Sequence, residues 1–394
     1  MRHSICVVTG TRADYGLLRP LLLLLRSSPA VELRLVATGS HLSRAFGGTL
    51  DEVQADGFPI HAEIPLPIDG DRRQDIAHAT GVAISAFTHY FSENRPDLLV
   101  VLGDRYEIFA ASSSAALLGI PIAHISGGDT TEGAIDEFLR HSVTKMSILH
   151  FTGCEDSRRR VIQLGEAPDR VFNVGEPGVE NAATLAKMTP EELGADLGFP
   201  LAGHPYAVVT FHPVTMENGS GEVQVKALIE AMDAVSELRY IVTLANADAG
   251  GRSINQIWKQ AGVRRQNWLV RPSLGVKRYL SALCHASLVL GNSSSGIVEA
   301  PFFHTPTVNI GDRQKGRTMA ESVLCCQPVA SDIEAAMRRA LQPQFRAIAA
   351  KAASPFGDGH TAEKIMPVLL AFLENPDRTV KKTFYDISFG GMTP

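Results

Sequence analysis

Arginines, carboxylates and small hydroxyl residues gather in a few polar stretches, each directly after an apolar run. "TGTRADYG" carries Arg12 and Asp14, and "GDRYE" carries Asp104 and Arg105. "HISGGDTTEGAIDEFLRHSVTK" carries Ser126, Asp129, Asp136 and Glu137. "FHPVT" holds His212, and "GNSSSGIVEAPFFHTPTVNIGDRQKGR" holds Ser293, Ser294, Ser295, Gly296, Glu299 and Arg313. An arginine at the mouth of a helix suits a phosphate or pyrophosphate. A carboxylate at the carboxyl end of a buried strand, such as Asp104, stands where ligands bind in α/β sheets. The hydroxyls and free N–H groups of Ser293–Gly296 fit a diphosphate, with Glu299 one turn further on for a ribose diol. Each feature also has a plainer reading. Arg12 can pair with Asp14 at the surface, and Asp104 or the serines can cap helices. Asp136 with Arg140, and Glu137 with His141, have the spacing of ordinary helix pairs.

Other chemistries lack their residues. No G-x-G-x-x-G follows a strand, which argues against NAD, and no P-loop is present. H-E-x-x-H, Cys/His clusters and G-x-S-x-G are absent, so metal and serine-hydrolase readings lose ground. The net charge of −5 gives no reason to expect nucleic acid or an anionic membrane as partner. Five cysteines without C-x-x-C spacing point to a reducing compartment. The chain enters a strand within a few residues of its start, and Leu21–Leu25 is too short to span a bilayer. A cytoplasmic location is expected.

The elements that must hold these residues alternate along the chain. Strands are expected at Ile5–Thr9, Glu32–Ala37, Leu98–Leu102, Ile122–Ile125, Ile148–Phe151 and Val171–Val174. A second series is Tyr206–Thr210, Tyr240–Thr243, Trp268–Val270, Leu288–Gly291 and Thr307–Ile310. Several are apolar throughout, the pattern of parallel strands covered on both faces by helices such as Arg105–Leu118 and Gly221–Val235. The length of 394 residues is comfortable for two domains. A loose stretch from Gly175 to Gly203 puts the boundary near Glu176–Pro177. The expected division is 1–175, 176–370 and a tail 371–394 that is mobile or straps back onto the first domain. Two such halves would share a cleft at their strand ends.

Together, and in this order, the five motifs resemble the hydrolysing UDP-N-acetylglucosamine 2-epimerases of the sialic-acid type, from about residue 5 to about residue 320. The resemblance implies an α/β GT-B fold, two Rossmann-like doubly wound domains around a nucleotide-sugar cleft. It implies conversion of UDP-GlcNAc and water to N-acetylmannosamine and UDP for sialic-acid-type biosynthesis, with no metal and no nicotinamide. UDP would lie mainly on the second domain. Ser293, Ser294, Ser295, Gly296 and Arg313 would hold the diphosphate, Glu299 the ribose, and a loop around Arg271 the base. Arg12, Gly16 and Arg105 would contribute from the first domain.

The implied chemistry is elimination to 2-acetamidoglucal followed by hydration. Asp104 is the implied acid/base near the sugar, and Asp136 or Glu137 the second. His212 would contact the leaving diphosphate or assist proton transfer. One departure stands out: many relatives carry glutamate, a proposed acid/base, where this chain has Ser126. Asp129 could substitute, or Ser126 could position water. The same departure points to other sugars, UDP- or GDP-linked 2,4-diacetamido-trideoxyhexoses. A GT-B glycosyltransferase, a non-hydrolysing 2-epimerase and an inactive nucleotide-sugar sensor are the rival readings. The resemblance also implies a homo-oligomer, dimer or tetramer, for which Thr80–Phe91 is apolar enough to be an interface.

Overall fold

Continuous apolar strands need cover on both faces, and helices supply it here around two parallel sheets. The computed structural model describes residues 2–43, 49–67, 72–132, 134–213, 221–245 and 251–388. The first sheet contains β1 (His3–Thr9), β2 (Val31–Thr38), β3 (Ile60–Ile64), β4 (Leu98–Leu102), β5 (Ile122–Ile125), β6 (Leu149–Thr152) and β7 (Val171–Asn173). Their order is β3-β2-β1-β4-β5-β6-β7. The second contains β8 (Tyr206–Thr210), β9 (Arg239–Thr243), β10 (Trp268–Arg271), β11 (Leu288–Gly291), β12 (Thr307–Ile310) and β13 (Val323–Cys326), in the order β10-β9-β8-β11-β12-β13. Every neighbouring pair is parallel. Both are doubly wound sheets with a switch point, between β1 and β4 in one and between β8 and β11 in the other.

β4 shows why these strands are apolar throughout. Leu98, Val100 and Leu102 join one hydrophobic cluster with Leu18, Leu22 and Leu25, while Leu99 and Val101 join another with Phe87, Phe91 and Ala111. Successive side chains point to opposite faces, so both must be apolar.

β3 interleaves polar residues with apolar ones and carries no continuous apolar run, and β13 is a short run of only four residues, VLCC. Each is an edge strand of its sheet, β3 of the first and β13 of the second, and most of their residues are at least partly exposed. Edge strands bury less, so they tolerate polar residues.

The compact units divide later than expected and are not contiguous. One comprises residues 1–129, 136–180 and 356–394; the other comprises 130–135 and 181–355. The sequence places 176–370 together, but the helix Thr361–Glu374 lies in the first unit. Ala362, Ile365, Leu369, Phe372 and Leu373 share the core of Leu18, Leu22 and Leu25. Glu180 Oε2 accepts from the Ala362 N–H at 2.8 Å in the same unit.

The chain beyond this helix straps back onto the first unit. Lys382 Nζ donates to Glu166 Oε2 at 2.6 Å, and Tyr385 N–H to Gly165 O at 2.9 Å. Among the described residues no helix is long and apolar enough to cross a membrane.

Candidate active site: strand ends of the two units

In the first unit, the turn after β4 presents Asp104. Gly103 has φ +76, a left-handed conformation that favours glycine, and its N–H bonds Ile125 O at 3.0 Å. His124 Nε2 lies 2.8 Å from Gly103 O and braces the turn. That imidazole is fully buried, and burial pushes its pKa down to about 4, so it is neutral near pH 7. The helix Tyr106–Leu117 takes Arg105 as its N-cap with no side-chain cap bond, so capping does not explain Asp104.

Asp104 pairs instead with Arg140, which is only 4% exposed. The same guanidinium donates to Glu137 Oε2 at 3.2 Å and to Asp129 O at 2.9 Å. Glu137 Oε1 stands 3.1 Å from His141 Nε2. One buried arginine therefore gathers carboxylates from the β4 end and from the helix Asp136–Met146. Asp136 opens that helix, half-buried.

Asp129 is turned elsewhere. It is buried, and its Oδ1 accepts from Ser157 Oγ at 2.6 Å. Ser126 has φ +62, an uncommon conformation for a residue with a side chain. Its N–H bonds Phe151 O at 2.8 Å, and its hydroxyl donates to Glu176 Oε2 at 2.8 Å.

The turn after β1 is closed by Asp14. Its carboxylate accepts from Thr9 Oγ1 at 2.5 Å and from the Gly10 N–H at 2.9 Å, and completes a capping box with Thr11. Burial pushes its pKa up, against the pull of these bonds. Arg12 faces Glu52 at 3.5 Å in a solvent-exposed pair. Gly16 lies half-buried in the same helix, Arg12–Ser27. Arg105 Nε donates to the buried Glu107 at 2.6 Å.

In the second unit, the residues meet at the β8/β11 switch point. His212 follows β8, and Asn292 follows β11. The His212 N–H donates to Asn292 Oδ1 at 2.7 Å, and Asn292 Nδ2 donates to His212 O at 2.8 Å. Asn292 O accepts from Arg313 Nη1 at 3.1 Å and from Gln314 Nε2 at 3.0 Å.

The helix Ser295–Phe302 starts here, with Ser294 at its N-cap and no side-chain cap bond. Gly296 is required by close packing: a Cβ would lie 2.9 Å from Thr307 Cγ2. Tyr279, from the helix Val276–His285, lies beside Ser293, Ser295 and Thr210, and burial pushes its phenol pKa up. Burial pushes the pKa of Glu299 up, against Ser295 and Arg317. Arg271 stands apart from this group. It ends edge strand β10, exposed, with Nη2 3.5 Å from Leu197 O. Val214 and Thr215 of "FHPVT", and Gly133, lie outside the described residues.

Sequence reasoning missed Asn292, Tyr279 and Glu176. Asn292 had a signal, a polar residue ending a buried strand inside a motif already singled out. Tyr279 and Glu176 arrive from segments distant in sequence and had none.

The fold and these strand-end groups define an α/β enzyme of the GT-B class. Residues 24–370 match the family model of UDP-N-acetylglucosamine 2-epimerase. The chain is 36% identical over 389 residues to the polysialic acid biosynthesis protein P7 of Escherichia coli, covering 98% of this chain and 97% of that one. It is 36% identical over 346 residues to the GDP/UDP-N,N'-diacetylbacillosamine 2-epimerase (hydrolyzing) of Campylobacter jejuni, covering 88% and 89%. A crystal structure of UDP-GlcNAc 2-epimerase from Neisseria meningitidis bound to UDP-GlcNAc matches with a TM-score of 0.77 at 19% identity, over 93% of this chain and 100% of that one. The chain belongs to the hydrolysing UDP-N-acetylglucosamine 2-epimerase family.

Proposed function

We propose that the protein converts UDP-GlcNAc and water to UDP and N-acetylmannosamine. The observation that carries the reading is the gathering of Asp104 and Glu137 on one buried arginine at the strand ends of the first unit. A transferase that only passes a sugar on has no need of carboxylates at C2. Elimination has that need, because one base must take the C2 proton while C1–O breaks and UDP departs. The product, 2-acetamidoglucal, then takes a proton at C2 and water at C1. Asp104 is the base for the first step, and the Asp136–Glu137 pair supplies the second carboxylate.

Nucleotide recognition belongs to the second unit in this reading. Ser293, Ser294, Ser295, Gly296 and Arg313 take the diphosphate, and their preorganised donors stabilise the leaving dianion. Glu299 takes the ribose, Arg271 lies by the base, and His212 contacts the leaving diphosphate. Arg12, Gly16 and Arg105 contact the substrate from the first unit.

A second reading keeps the chemistry and changes the sugar to a UDP- or GDP-linked 2,4-diacetamido-trideoxyhexose. Ser126 at the end of β5 and the 36% identity to the Campylobacter jejuni relative favour it. Proton NMR in D2O, with EDTA and without NAD, tests both. UDP together with N-acetylmannosamine deuterated at C2 is expected from UDP-GlcNAc. Turnover of the diacetamido donors alone would establish the second reading, and transfer without C2 exchange would sink both.

A further inference from the structure

β5 runs into a hydroxyl, Ser126, where its neighbour β4 runs into the carboxylate of Asp104. Ser126 is not alone there. Glu176 follows β7, yet its carboxylate reaches the end of β5, with Oε2 2.8 Å from Ser126 Oγ. It crosses the end of β6 on the way. Gly153 follows β6, and a Cβ on it would lie 2.0 Å from Glu176 Oε1 and 2.5 Å from Cδ. The missing side chain at Gly153 is the space in which the carboxylate lies.

The backbone is built to send it there. Gly175 has φ +87, and a Cβ on it would come within 2.9 Å of Phe356 O. The Glu176 N–H is bonded to that same Phe356 O at 2.9 Å. Glu176 is 7% exposed, and Ser126 is held in its left-handed conformation with its N–H on Phe151 O. A buried carboxylate costs stability unless it is bonded. Two glycines and a strained serine that deliver one to a strand end are the marks of a functional constraint.

We infer that Ser126 and Glu176 act as one hydroxyl–carboxylate relay, which removes the proton from the water that adds to C1. The inference rests on the elimination–hydration reading above. In the step, the water oxygen bonds to C1 as C2 takes a proton, on the face opposite the one Asp104 deprotonated, from a carboxylic acid of the Asp136–Glu137 pair, and Asp104 returns its own proton to solvent. The water proton passes to Ser126 Oγ, and the Ser126 hydroxyl proton passes to Glu176 Oε2. Ser126 carries no charge at any point, and Glu176 ends protonated and returns that proton to solvent. Ser126 is the catalytic residue of the pair, because it touches the water. Glu176 is a positioning residue that acts through it.

The relay serves hydration and not elimination, which sets its signature. Glu176→Gln is expected to release UDP while the glycal accumulates, with formation of the free sugar slowed about 100-fold. Ser126→Ala should match it, and the double variant should be no slower than either, because the pair acts as a unit. Gly153→Ala, which touches neither residue's chemistry, should give the same glycal by displacing the carboxylate. Ser126→Glu with Glu176→Ser returns a carboxylate to the same place and should restore sugar formation.

The wild-type enzyme is assayed first, by NMR with the donors above. If it turns over none of them, the functional reading fails and the relay falls with it. If wild type is active and Glu176→Gln forms sugar at the wild-type rate without glycal, the relay alone is overturned. Equal slowing of UDP release and sugar formation, with a lowered unfolding temperature, would make the pair structural and would also overturn it.

Discussion

Asp104 and Arg140 carry the sharpest expectation at the scale of single residues. Asp104→Asn keeps shape and hydrogen bonding but removes the base. Turnover of the nucleotide sugar should fall by about 10²–10⁴-fold. UDP affinity, measured by calorimetry, should stay unchanged, since Ser293, Ser295 and Arg313 lie in the other unit. Loss of UDP binding in step with turnover would refute this separation of roles. Asp104 was legible in the sequence as a strand-end acid, and Glu137 and Arg140 as members of two separate helix pairs, with His141 and Asp136. The convergence of both acids on Arg140 was not, because residues 36 apart in sequence have no periodic relation.

At the scale of the element, the strand ends of the first sheet depend on buried histidines. His124 on β5 holds the turn of Asp104, and His41, just after β2, stands 3.0 Å from Thr9 Oγ1. Burial lowers both to about 4 from an ordinary 6.5. The unfolded chain therefore binds protons that the folded chain does not, between about pH 6.5 and pH 4. Stability rises with pH across that window and is lost as pH falls through it. Each histidine contributes a slope of roughly 1.4 kcal/mol per pH unit within the window. Urea unfolding at stepped pH values should show a steepening loss below pH 6.5. A flat profile from pH 7 to 4.5 would contradict the buried, neutral assignment. The β-strand runs announce these elements through their apolar residues. The polar work of a histidine inside "IAHI" becomes visible only when β4 and β5 are side by side.

Across the whole molecule, the chain leaves the first unit and comes back to it. The helix Thr361–Glu374 completes the first core, so damage there should be felt far away in sequence. Leu369 is fully buried against Leu18 and Leu22. Leu369→Ala should destabilise the first unit by about 2–5 kcal/mol. The two tryptophans of the chain, Trp258 and Trp268, both lie in the second core. Tryptophan fluorescence therefore follows the second unit, and far-UV circular dichroism follows both. The variant should lower the dichroism transition more than the fluorescence transition. Equal shifts would mean that the helix supports both units alike.

The sequence alone determined the local order of strand, polar turn and helix, because burial on two faces demands continuous apolar runs. It also marked the turns in which polar residues directly follow such runs, and the proposed chemistry is placed in those turns. Sheet order, the return of 356–394 to the first unit, and the meeting of Ser126 with Glu176 were decided only by the tertiary structure. Strand pairing joins residues by register and not by sequence distance. A side chain such as Glu176 acquires its neighbour when β5, β6 and β7 lie in line and Gly153 leaves room between them.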